Sequence, residues 1–156
     1  MSVVIILKFL HIAAMFTAVG VSVGTDLMAH RVADTGDVRT IRTFFGQARQ
    51  IVKLMPFLFL SGLVLGLITA WAGALNLLAP WLLIAYVLFA LTLALHATIG
   101  AAWFRRMEAL AIASPDDGAS AELLATAHAR SARYLLPYTM TMIVVFVFLM
   151  VVKPLS

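Results

Sequence analysis

The chain has 156 residues, of which 63% are hydrophobic and 12% charged, with a net charge of +4. A soluble domain is nearer half apolar and a quarter charged, and a core of this size cannot hide the excess, so lipid must cover it. Cysteine is absent, which excludes disulfides, iron–sulfur clusters and thiol catalysis. The mean hydropathy of +1.05 agrees.

Four segments suffice to cross a bilayer, which takes ~20 apolar residues at ~1.5 Å each. The first covers about 3–29. It is not read as a cleaved leader, because it has no basic n-region and no A-x-A site before a soluble domain. A loop at 30–50 leads to the second span, about 51–75. The third, about 80–104, starts at Pro80, whose missing N–H costs little in a first turn. A second loop, 105–133, precedes the fourth span, about 134–152, with Pro137 near its start. The expectation is one integral membrane domain, 1–156, folded as an all-α, four-transmembrane-helix antiparallel bundle.

Orientation follows from the basic residues. Arg31, Arg39, Arg42, Arg49, Lys53, Arg105, Arg106, Arg130 and Arg133 flank or fill the two longer loops. The opposite side holds only Lys8 and Lys153. Both termini are therefore expected outside, with loops 30–50 and 105–133 in the cytoplasm. The positive charge belongs to one membrane face and calls for no nucleic acid. Trp71 and Trp81 would mark the outer interface, and Trp103 and Tyr134 the inner one.

Within the first loop Asp37 can cap a helix whose Ile41, Phe44, Phe45, Ala48, Ile51 and Val52 share a face. Arg39, Arg42, Arg49 and Lys53 form its polar complement. This is either an interfacial segment or a downward extension of the second span. "SPDDGAS", 114–120, is the plain turn, after which 121–133 can continue as helix into the fourth span. Gly20 with Gly24, and Gly62 with Gly66, are GxxxG pairs that let helices approach closely. They serve packing inside the bundle or an oligomer, and close approach also leaves room for a flat cofactor.

Ionisable groups inside a span are expensive and tend to be functional. His11 and His96 are either packing groups, haem iron ligands or proton carriers. His11 lies about eight residues below the outer end of its span and His96 about sixteen residues into a parallel one. The offset of ~12 Å makes them poor partners for one iron. Met150 lies near the depth of His11 and is a second candidate ligand. Lys8, one turn from His11, either snorkels outward or offers a cation to an anionic ligand. Asp26 at the inner boundary is expected to form an ion pair with Arg105, Arg106 or Arg31. His30 and His128 read as interface residues, since no zinc spacing surrounds them. No nucleophile–base set, phosphate loop or paired carboxylate supports hydrolytic chemistry.

The order of these features, "LKFLHIAA" opening the first span, "LALHATIGAAWFRR" late in the third and "ARYLLPYTMTMIVVFVFLMVVKP" closing the chain, resembles the copper-resistance-D-like superfamily. That superfamily includes the HemJ-type protoporphyrinogen oxidases and an uncharacterised group of small bacterial four-helix membrane proteins, and the likeness is to the latter group. It covers nearly the whole chain and is carried by Lys8, His11, His96, Pro137, Lys153 and Pro154. The resemblance implies haem b at His11, a redox or electron-transfer role, a redox partner or membrane complex, and the bacterial inner membrane. The chain departs from the HemJ type in lacking a lysine early in "PWLLIAYVLF", an Asn-Glu-x-Pro signature at Leu135-Leu136-Pro137 and a tryptophan after the first-span histidine. The alternatives are a non-enzymatic scaffold or accessory subunit and, from the superfamily alone, copper or proton transport.

Overall fold

The computed structural model describes residues 2–154, so the extreme ends of the expected 1–156 domain lie outside the described residues. Helix α1 covers Val3–Asp34 and α2 covers Val38–Ala72. Helix α3, Pro80–Leu95, passes through a π-helical turn at His96–Gly100 into α4, Ala101–Ala113. The short α5, Ala121–Ala127, and α6, Arg130–Arg133, then lead into α7, Leu135–Val152. The described residues contain no strand.

Joined across these junctions, Val3–Asp34, Val38–Ala72, Pro80–Ala113 and Ala121–Val152 are four helices long and apolar enough to span a membrane. The expected spans 3–29, 80–104 and 134–152 lie inside them, and 51–75 overshoots α2 only by residues of the outer turn. Large apolar side chains such as Phe16, 80% exposed, and Val151, 75% exposed, point away from the bundle and suit a lipid surround.

Of the two readings of residues 38–53, the structure has the extension. Helix α2 runs unbroken for 35 residues, ~52 Å against ~30 Å of hydrocarbon. Asp37 caps it by accepting the Thr40 amide at 3.0 Å. Those hydrogen bonds, from the Thr40 hydroxyl and amide, hold the Asp37 carboxyl below its ordinary 3.8.

The basic end of the bundle is a packed core. Ile41 and Phe45 of α2, Met107 of α4 and Leu123 of α5 are fully buried. The Phe45 ring lies 4.6 Å from Phe104 and 5.6 Å from Trp103. Phe44, Ala48 and Val52 join this core, whereas Ile51 of the expected stripe is 41% exposed. The stripe therefore packs against other helices rather than lying along lipid.

Arg42, expected on the polar face, turns to the end of α4. It donates to Ala111 O at 3.0 Å, Ser114 O at 2.9 Å and Asp116 Oδ1 at 2.7 Å. Carbonyls at a helix C-terminus lack intrahelical donors, and a guanidinium fork supplies them. Arg42 holds the Asp116 carboxyl below its ordinary 3.8. A depressed carboxylate contributes stability above its unfolded value and loses it as pH falls through the folded one. The turn at 114–120 is thus expected to loosen as pH falls below about 4. Amide exchange in this turn should show the dependence, and Asp116→Asn should flatten it.

Two of the expected interfacial aromatics are buried instead. Trp103 is 9% exposed, with Nε1 donating to Thr126 O at 2.9 Å. Trp81 is 4% exposed and packs with Leu82 and Ala85 against Leu149 of α7. The Lys153 ammonium sits 5.9 Å from the Trp81 ring and ties the outer ends of α3 and α7. Trp71 and Tyr134 are 74% and 71% exposed, as lipid-interface residues should be.

The two GxxxG pairs differ. A Cβ at Gly66 would come within 2.8 Å of His11 Cε1, and one at Gly62 would strike the Met15 sulfur. This pair forms the α1–α2 seam and is closed from within the chain, so it offers no surface to a second copy. Gly20 and Gly24 have nothing within 4 Å of an added Cβ and remain open.

Candidate functional site

Two sets of polar groups lie inside the spans. The one nearer the chain termini is His11. Its Nδ1 is 2.8 Å from the Gly62 carbonyl oxygen. A carbonyl can only accept, so Nδ1 carries a proton, and in the neutral ring the lone pair lies on Nε2. The ring fits the space that Gly66 leaves by having no side chain. This gives His11 a structural partner that the sequence did not disclose. Lys8, a turn outward, is exposed. Met150 is 41% exposed on α7.

The set nearer the basic end is Asp26 and His96. Asp26 stands roughly 15 residues inward of His11 on α1, or ~22 Å along the axis. His96 Nε2 approaches Asp26 Oδ2 at 3.9 Å. The two histidines are therefore held at different depths. His96 opens the π turn, which adds about one residue to a helical turn and rotates α4 relative to α3; such bulges recur at functional sites. Nδ1 of His96 donates to Thr92 O at 2.9 Å. Its Nε2 lies 3.1 Å from the Thr139 hydroxyl, which is also 2.8 Å from Leu135 O. The Thr92 hydroxyl donates to Leu88 O at 2.8 Å and meets the Tyr138 hydroxyl at 3.1 Å. Thr92, Tyr138 and Thr139 were not singled out from sequence. Their signal was there, in hydroxyls placed among apolar residues of the third and fourth spans.

The expected pairing of Asp26 with arginine is not formed. Arg105 and Arg106 lie about nine residues beyond His96, ~14 Å deeper toward the basic end. Arg106 bonds Glu122 at 2.7 Å, and Arg105 is exposed. At that end Arg133 pairs with Asp34, and His128 Nε2 is 3.9 Å from the same carboxylate. His30 stacks on Trp103 with ring centroids 4.7 Å apart, and its Nδ1 is buried without a partner. No group of three or more potential metal ligands gathers among the described residues.

Neither the curated proteins nor the solved structures contain a match. Residues 5–154 match the family described as predicted integral membrane protein (DUF2269). That match spans nearly the whole chain, and with four membrane-length helices beneath it, the protein belongs to this family of multi-pass integral membrane proteins.

Proposed function

We propose that the protein is a haem b protein of the bacterial inner membrane, in which His11 would hold the iron, with a role in electron transfer. The observation that carries this reading is the bond from His11 Nδ1–H to the Gly62 carbonyl. Histidines that ligate metals have the far ring nitrogen anchored in this way, which fixes the tautomer and leaves Nε2 for the metal. The donor set therefore fits haem iron on one side. Bound haem would supply one-electron chemistry. Lys8 would stand near a propionate, and the arginines at the basic end would serve a redox partner. His96 lies too deep to share that iron, and the exposed Met150 is not held in place for it.

The HemJ-like resemblance supports the cofactor more than the enzymatic activity, given the residues the chain lacks. Absorption spectra of protein purified from haem-replete cells provide the test. A Soret band is expected, responsive to dithionite and lost in His11→Ala. A featureless spectrum would sink the reading.

A second reading has an observation of its own. The His11 ring fills the Gly66 notch and bonds α2, which suits a purely structural part for His11 in a scaffold or accessory subunit. In that case His11→Ala would destabilise the α1–α2 seam in a protein that carries no haem.

A further inference from the structure

We propose that Asp26 and His96 form a proton-binding site at the inner boundary of the bilayer, with the Thr139 hydroxyl as its hydrogen-bond switch. This inference does not rest on haem at His11.

The roles follow from donors and acceptors. Thr92 O accepts from Nδ1, so that nitrogen is protonated in every state of the ring that keeps this bond. Only Nε2 can gain or lose a proton. Its partner Thr139 has one hydroxyl proton and two uses for it, at 2.8 Å from Leu135 O and 3.1 Å from Nε2. When Nε2 is bare, the hydroxyl proton points to it. When Nε2 is protonated, the ring donates to the Thr139 oxygen and the hydroxyl proton turns to Leu135 O. Both states are satisfied without moving a helix.

Asp26 supplies the other half. No hydrogen bond reaches its carboxylate among the described residues, and the ionisable side chain within 4 Å of it there is His96, 3.9 Å away. The side chains are 33% and 25% exposed. An anion so placed is held by a cation beside it or by taking a proton itself. The pair is neutral when it holds one exchangeable proton, either as carboxylate with imidazolium or as carboxylic acid with imidazole. A proton held there belongs to the pair rather than to either residue alone.

The surroundings leave this proton to the pair. On α1 the next ionisable group is His30, stacked on Trp103. On α7 it is Tyr138, bonded to Thr92. On α6, Arg133 is engaged by Asp34 and Arg130 is exposed. On α4, Arg106 is engaged by Glu122 and Arg105 is exposed. Arg31 on α1 and Lys53 on α2 are exposed, and among the described residues no arginine or lysine forms an ion pair with Asp26. The Thr92–Tyr138 contact continues the polar groups from His96 outward along α3 and α7.

The experiment is a pH titration of ¹⁵N-histidine-labelled protein in nanodiscs, with the His96 signal assigned through His96→Gln. His96 Nε2 should convert from protonated to bare in one step as pH rises. Asp26→Asn should lower that midpoint by at least about one pH unit, a ten-fold loss of proton affinity. Asp26→Glu should restore most of it. The wild type also provides a readout free of any folding defect: a carboxyl infrared band should change with the same midpoint as the imidazole. An unchanged midpoint in Asp26→Asn would overturn the proposal. So would a His96 signal constant between about pH 4.5 and 9, the behaviour of a fixed ion pair or a permanently neutral packing residue.

Discussion

Phe45→Ala is expected to cost about 3–5 kcal/mol and to open the basic end of the bundle while leaving the outer helix pairs in place. Phe45 is fully buried and contacts both Trp103 and Phe104. Truncation leaves a void among α2, α4 and α5, and α5 is too short to close it. Hydrogen exchange should accelerate in Ala101–Ala127, with the outer half of α1 and α2 unchanged. Uniform acceleration along all four spans would mean that this core and the membrane part fold as one unit.

Gly66→Val is the second large effect. Even a single Cβ at Gly66 would come within 2.8 Å of His11 Cε1, and the ring would have to leave its place. It would give up its bond to the Gly62 carbonyl, so overpacking and a lost, half-buried hydrogen bond add to about 2–4 kcal/mol. Gly62→Ala is the control. There the obstacle is the thioether of Met15, an adaptable side chain that can swing aside. Resistance to unfolding in mixed micelles should fall steeply for Gly66→Val and little for Gly62→Ala. Equal, small losses would show that His11 is not seated against α2.

The spans were legible because lipid imposes a composition that a residue count detects. The Asp37 cap, Pro80 and the stripe of Ile41, Phe45 and Ala48 were legible because each is a local rule. What lay beyond reach depended on partners. Hydropathy drops after Ala29 and Phe104, yet both helices continue, because at the basic end they bury against one another rather than against lipid. Trp103 and Trp81 have the composition of membrane anchors, and only packing distinguishes an anchor from a core residue. Asp26 was assigned to arginine by charge, whereas depth along the helix decides its partner and gives it to His96. The π turn at His96 inserts its extra residue without any mark in the periodicity of an all-apolar segment. The packing role of His11 could not be told from a ligand role because its support comes from an absence, the missing side chain of Gly66.

The unbroken course of α2 from the buried basic core through the spans bears on how the protein meets membranes of different thickness. A loop at the bilayer surface would absorb a mismatch as slack. A continuous helix has no such loop, so a thinner or thicker bilayer is met by tilt of α2, with any bend falling at Pro56, its one internal proline. Because the first turns of α2 are packed into the basic core, that core would tilt with it. The angle at which the basic end is presented to the aqueous phase thereby becomes a function of the lipids around the protein.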